Sequence, residues 1–235
     1  MDFLDLTLGD VASDVGLDES LLLEAEAGRA EVLRVWERPA PAVVLGSGCK
    51  LLDDVEVTAC AADGVPIVRR SSGGGTVLLG RGCLCFSLVL SFARGEALAG
   101  IGTSYRWILQ RVIESLGVPG VEQAGISDLA IDGRKFSGNA QQRKRNHLLH
   151  HGTILYAMDL APVNRYLRLP ERQPDYRERR DHEAFIRNVD LPRERIVRGL
   201  RAVWGAESER ADWPEDEVRR LVREKYGTAE WTARR

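Results

Sequence analysis

The chain has 235 residues, with 33 basic and 35 acidic side chains and a net charge of -2. That length buries one sizeable core, and 44% hydrophobic with 29% charged residues excludes a disordered, collagen-like or disulfide-dense chain. The even charge balance argues against a dedicated nucleic-acid binder. The start Met1-Asp2-Phe3-Leu4-Asp5 lacks the basic, apolar pattern of a signal peptide, and no apolar run reaches the length of a membrane span. A cytoplasmic protein that engages neither nucleic acid nor membrane is expected. Cys49, Cys60, Cys83 and Cys85 form no Cys-x-x-Cys pair, so free thiols are expected and a structural zinc is not.

Taken in order, residues 18–28 read as a helix with Asp18 near the N-cap and Gly28 as its stop. Val32 to Trp36 and Ala42 to Gly46 read as strands, with a helix expected at 53–62. Val65 to Arg70 is a further strand, broken at Ser71-Ser72-Gly73-Gly74-Gly75 before extended structure resumes over 76–79 and 83–92. Tyr105 to Leu116 has helical spacing and ends at Gly117. Asp132-Gly133 supplies the positive φ angles of a two-residue hairpin turn, so 128–131 and the strand beginning near Lys135 pair. With a second turn at Lys144-Arg145-Asn146 and a return over 148–156, a three-stranded antiparallel meander is predicted. The polar stretch 170–182 reads as a connector, followed by helices over 193–204 and after Asp212-Trp213-Pro214. Mixed runs of strands and segregated helices indicate an α+β fold.

The three glycines strip side chains from a turn, which lets backbone N–H groups converge on an anion, and Arg69 and Arg70 beside them offer positive charge. A tight turn that simply needs glycine explains the spacing equally well. No Gly-Lys-Ser/Thr follows and no Gly-x-Gly-x-x-Gly precedes a helix, so neither dinucleotide nor Walker chemistry is indicated. Lys135 follows a tight turn inside Gly133-Arg134-Lys135-Phe136-Ser137-Gly138, where an ammonium could neutralise charge on a reacting oxygen or merely be solvated. His150 and His151 are neighbours on a strand and point to opposite faces, so they cannot grip one metal together. At most one faces a site. The turn and Lys135 are expected to meet only if both belong to one sheet.

Together, Arg69-Arg70-Ser71-Ser72-Gly73-Gly74-Gly75-Thr76-Val77, the run from Asp128 through Gly133-Arg134-Lys135-Phe136-Ser137-Gly138-Asn139-Ala140, and His150-His151-Gly152-Thr153-Ile154-Leu155 resemble the lipoate–protein ligase A family in order and spacing. The resemblance implies a biotin/lipoate ligase-like catalytic domain over residues 1–204, built on a mixed, largely antiparallel sheet flanked by helices. Residues 205–235 would be a C-terminal helical extension without a separate accessory domain, so a separate accessory subunit could supply that function. It further implies activation of lipoate by ATP and Mg2+ to lipoyl-AMP, then transfer to a lysine of an apo lipoyl-domain protein of the 2-oxoacid dehydrogenase E2 or glycine-cleavage H-protein type. Carried over by position, Arg70, Ser72, Gly73, Gly74, Gly75, Thr76, Val77 and Leu78 would hold ATP, lipoate or lipoyl-AMP. Lys135 would touch both acyl carbonyl and phosphate as the catalytic residue, with Asp128 and His151 in support and no protein-held metal.

Two departures stand out: Leu79 where relatives commonly have histidine, and Cys49 where many have glutamine. A first rival is an octanoyltransferase that moves a pre-activated acyl group through a cysteine thioester, yet residues 120–127 hold no cysteine. A second is a non-catalytic lipoate-binding protein.

Overall fold

The computed structural model describes residues 1–235. Its first half runs β1 (Asp2–Asp5), α1 (Val11–Glu26), β2 (Val32–Trp36), β3 (Ala42–Leu45), α2 (Leu51–Asp54), α3 (Val57–Asp63), β4 (Ile67–Arg69), β5 (Val77–Leu79) and β6 (Cys83–Ser91). Then come α4 (Ile101–Leu116), β7 (Glu122–Ala124), β8 (Asp128–Ile131), β9 (Arg134–Arg143), β10 (His147–Leu155), and the short α5 (Val163–Tyr166) and α6 (His182–Phe185). The chain ends with α7 (Arg193–Trp204), β11 (Ser208–Glu209), α8 (Glu215–Leu221) and α9 (Ala229–Ala233).

The strands form an eight-stranded sheet in the order β11-β1-β2-β6-β10-β9-β8-β7 and a three-stranded sheet β4-β3-β5. Only β1 with β11, β1 with β2, and β3 with β4 run parallel, so the architecture is mixed, largely antiparallel and α+β, as the sequence predicts. The predicted meander is β8-β9-β10, and β7 adds a fourth strand to its edge. Its tight turn has φ of 52° at Asp132 and 67° at Gly133, the pair of positive angles that a twisted hairpin needs.

Alternation along the strands sorts side chains to the two faces of the large sheet. On one face Leu84, Phe86 and Leu88 of β6 pack under Ile108, Leu109 and Val112 of α4 and Ile196 and Leu200 of α7. On the other, Trp36, Cys85 and Leu155 meet Val43, Leu45 and Leu78 of the small sheet. No helix is long and apolar enough to cross a membrane.

Two predicted helices differ. The helix expected from Asp18 begins at Val11, where the Asp10 carboxylate accepts from the Ser13 N–H at 2.8 Å. Asp18 instead lies inside it, paired with the fully buried Arg34 of β2 at 2.7 Å. Because α1 lies across that strand, a cation sixteen positions away satisfies an acid that local sequence can only read as a cap. The helix predicted over 53–62 is split into α2 and α3, because Val55 is drawn into a strand-like bridge with Leu167 and is fully buried. Beyond Trp204, β11 lengthens the large sheet and α8 packs on α1.

His150 belongs to the α4 side of the sheet, packed on Phe86 and Tyr105, and burial pushes its imidazole pKa from 6.5 down to about 3. The unfolded chain therefore binds a proton that the folded chain refuses. The stabilisation is complete above the unfolded value of 6.5 and is lost as pH falls towards about 3, with a slope of at most about 1.4 kcal/mol per pH unit from this residue. Urea unfolding measured from pH 7 to pH 4 should show that slope in the wild type and a shallower one in His150→Asn.

Candidate functional site

The glycine-rich turn leaves β4 at Arg69 and enters β5 at Val77, so it hangs from one end of the small sheet. It lies so close to β3 that a Cβ on Gly46 would collide with the Gly74 carbonyl, and the Ser47 N–H donates to the Ser72 carbonyl at 2.8 Å. Arg70, 7% exposed, sits within its curve. The guanidinium donates to the carbonyls of Gly73 (2.7 Å), Gly75 (2.8 Å) and Val44 (3.3 Å) and to Ser72 Oγ (3.0 Å). The turn thus aims these carbonyls at a cation. Arg70 has no carboxylate partner, and burial pushes its pKa down to about 10. A buried cation compensated only by dipoles favours an anion beside it.

Arg69 does not share this role. It is fully buried, points away from the cavities, and donates to the carbonyls of Gly46 (2.9 Å), Cys49 (2.6 Å) and Thr232 (2.8 Å). Adjacent residues at a strand end face opposite ways, so only one of the two arginines can serve the site.

Lys135 rises from β9 beside Asp128 of β8, with its Nζ 2.9 Å from Asp128 Oδ1. The other oxygen of Asp128 accepts from the Tyr176 hydroxyl at 2.7 Å. Burial, then the nearby carboxylate, pushes that phenol's pKa above its usual range, so Tyr176 stays a donor. The lysine side chain lies flat over Gly138, where a Cβ would stand 2.7 Å from Nζ. Turn and lysine belong to different sheets, contrary to the expectation that a common sheet is needed to bring them together. The large sheet and the small one face each other, and the groups meet across that gap.

Two cavities join there. The inner one, about 120 Å³, runs under the turn and over the large sheet, lined among others by Arg70, Gly74, Trp36, Leu79, Cys85 and His151. The outer one, about 750 Å³, opens between β5, the 125–138 hairpin and the segment 167–186. Gly75, Thr76, Val77, Asp128, Lys135 and Thr153 border both. The cross-strand register sets the floor of the inner cavity as rows: Ser87 and His151 in one, Trp36, Cys85 and Thr153 in the next. The indole Nε1 of Trp36 is buried without a protein acceptor.

His151 links the buried ion pair to the turn. The Asp18 carboxylate can only accept, so Nδ1–H of His151 points to Asp18 Oδ2 at 3.4 Å, while Nε2 lies 2.6 Å from Ser72 Oγ, which also accepts from Arg70. Burial raises the Asp18 carboxyl, but Arg34 and His151 outweigh it and hold its pKa below the ordinary value.

Of the residues singled out in the sequence, Arg70, Gly74, Gly75, Thr76, Val77, Leu78, Asp128, Lys135 and His151 line one cavity or both. Ser72 and Gly73 stand behind the lining and shape the turn. Of the two departures, Leu79 lines the inner cavity, and Cys49 donates to the Gly74 carbonyl at 3.4 Å. Sequence reasoning missed Asp18, Trp36 and Tyr176. Tyr176 comes from the stretch read as a connector, and no local pattern marks it as the partner of Asp128. No three His, Cys, Asp or Glu side chains converge as a metal cage.

The model of the lipoyl protein ligase A/B catalytic domain matches residues 10–190. The chain is 33% identical over 155 residues to a protein from Mycoplasma pneumoniae named "Probable lipoate-protein ligase A", a match covering 66% of this chain and 45% of that one. It thus spans about half the length of that relative. To octanoyltransferase LipM of Carboxydothermus hydrogenoformans it is 29% identical, across 99% of this chain and 98% of that one. Among solved structures, the bi-partite lipoate protein ligase of Thermoplasma acidophilum, described with its E2 lipoyl domain, has a TM-score of 0.83 at 24% identity and covers 99% and 95% of the two chains. A lipoate-protein ligase A bound with ATP has a TM-score of 0.79 at 24% identity, covering 99% of each chain. At that identity the likeness is one of fold.

Two glycine substitutions should separate scaffold from site. Gly46→Ala drives a methyl into backbone and should lower unfolding stability by about 1–3 kcal/mol. Gly138→Ala meets only the flexible end of Lys135 and should change stability by less than about 1 kcal/mol while displacing the ammonium. Chemical denaturation of both variants checks the contrast.

Proposed function

Because the chain belongs to the lipoyl protein ligase A/B catalytic-domain family, we propose that it is an acyltransferase that attaches a lipoyl group to a lysine of a lipoyl-domain protein, activating lipoate with ATP to lipoyl-AMP. The observation that carries this reading is Lys135 at the junction of a narrow inner cavity and a wide outer one. The inner cavity suits an acyl chain. The outer one suits a nucleotide first and the incoming amine afterwards.

In the first step a lipoate carboxylate oxygen attacks the α-phosphorus of ATP, forming a C–O–P anhydride while pyrophosphate leaves with the electrons of the broken P–O bond. In the second, the ε-amine of the acceptor attacks the acyl carbon, the amine loses a proton, and AMP leaves with the bonding pair. Negative charge gathers near the acyl oxygen and α-phosphate in both steps. Lys135 reaches those oxygens, and Arg70 supplies a second, dipole-held charge behind the turn. Tyr176 would retain the Asp128 carboxylate when Lys135 turns to the ligand, and Asp128 then stands where an ammonium proton could be received. Magnesium would arrive with ATP and screen its phosphates. His151, held by Asp18, supports the turn through Ser72 without touching the reacting atoms.

An octanoyltransferase is the second reading, favoured by the end-to-end match to LipM. Its thioester chemistry needs a reactive thiol. Cys85 lines the inner cavity, but burial lifts its pKa well above 9.0, and burial likewise raises that of Cys49. Both shifts count against a reactive thiolate at either position. The bi-partite form of the Thermoplasma ligase supports a separate accessory subunit here too.

The two readings part in one experiment: an apo lipoyl domain is incubated with the protein and either lipoate, ATP and magnesium, or octanoyl-acyl carrier protein, with and without an accessory subunit of the bi-partite type, and then weighed by mass spectrometry. Modification from lipoate and ATP is expected. Modification from the carrier alone overturns the ligase reading, and binding of lipoate with no modification from either favours a binding protein. Lys135→Ala should lower transfer by about 10²–10³-fold with the fold intact by circular dichroism.

A further inference from the structure

We propose that residues 225–235 form a strap that holds the glycine-rich turn in its ligand-binding shape, which makes this segment a positioning element of the site. The proposal rests on the reading of that turn as the holder of the acyl donor. The strap lies outside the stretch matched by the family model, which ends at residue 190. None of its residues lines either cavity, so any effect on ligand must pass through the turn.

After α8 the helix widens over Val222–Tyr226, and the Gly227 N–H donates to the Val222 carbonyl five residues back at 2.9 Å. The wide turn sends Lys225 and Tyr226 together towards α1. There the Glu19 carboxylate accepts from Tyr226, from Lys225 Nζ at 2.6 Å and from Ser71 Oγ at 3.1 Å. Ser71 opens the glycine-rich turn and also lies 2.8 Å from the Tyr226 hydroxyl. The first end of the turn is thereby tied to the strap.

The strap then ties down the strand that feeds the turn. Trp231 Nε1 donates to the Arg69 carbonyl at 2.8 Å, and the Arg69 side chain donates to the Thr232 carbonyl from Nε and Nη2 at 3.0 and 2.8 Å. Arg234 reaches the Ser47 carbonyl at 2.9 Å, and the Leu51 N–H donates to the Arg235 carbonyl at 3.0 Å. Trp231 is itself flanked by Lys225 and Arg234, 4.7 and 3.7 Å from its ring.

Arg69 gives these contacts their force. It is buried with no side-chain carboxylate partner, and main-chain oxygens compensate its charge, those of Thr232 and Arg235 of the strap among them. Without the strap a buried guanidinium loses acceptors and must move. Arg69 and Arg70 share a peptide bond, so a shift of one displaces the other from the carbonyls of Gly73 and Gly75.

The test uses the full chain and the double variant Tyr226→Phe/Trp231→Phe, which keeps an aromatic ring at both positions, trims the indole to a phenyl and removes one O–H and one N–H. Amide hydrogen exchange of residues 71–76 is followed by mass spectrometry, and binding of a non-hydrolysable lipoyl-adenylate sulfamate by calorimetry. Exchange about tenfold faster, affinity about tenfold weaker and an unchanged KM for the lipoyl domain are expected, since the contacts of the Tyr226 hydroxyl with Glu19 and Ser71 and of Trp231 Nε1 with the Arg69 carbonyl are lost. Unchanged exchange in the turn overturns the strap. Faster exchange in a chain whose wild type binds no analogue upholds the strap and counts against the assigned ligand. Should the double variant unfold, Trp231→Phe alone carries the same comparison.

Discussion

One buried cation organises the site. Arg70 is surrounded by carbonyls and has no acid, an arrangement that stabilises its charge only while Gly73 and Gly75 keep their curve around it. The demand runs both ways. The guanidinium gives the turn its shape, and the turn gives the guanidinium its solvation. The close approach of Gly74 to Gly46, the hydroxyl of Ser72 and its histidine all follow from keeping that mutual arrangement in register. Its charge meets only dipoles, which leaves the site receptive to an anion.

Features set by neighbours in the chain were legible in the sequence. The Asp132-Gly133 hairpin fixes its own backbone angles, so β8, β9 and the place of Lys135 were predictable from a dipeptide. The faces of His150 and His151 follow from strand alternation alone, and the structure separates them into a packed interior and a cavity wall. Features set across space were not legible. Asp18 reads as a cap because nothing nearby reveals Arg34, and the carbonyl orientation of the turn cannot be read from three glycines. Alternation could also have divided the labour between Arg69 and Arg70, since two neighbours at a strand end rarely face one ligand.

Lys135 and Asp128 add a second layer of control. Held 2.9 Å from a carboxylate, the ammonium is paired before any ligand arrives, and Tyr176 holds the acid from its far side. Ligand binding then exchanges one partner for another instead of desolvating a free charge. In the proposed reaction such an exchange would cost less and would leave the Asp128 carboxylate available beside the incoming amine.

The gap between the two sheets has a mechanical meaning. The large sheet and the β4-β3-β5 sheet share no ladder; apolar side chains hold them face to face. They can therefore slide or part by a fraction of a side chain without breaking one strand-to-strand hydrogen bond. A cavity walled by a single closed sheet has no such freedom, because its width is fixed by its register. Here the width of the inner cavity is set by soft packing, and the position of Lys135 by the rigid hairpin beneath it.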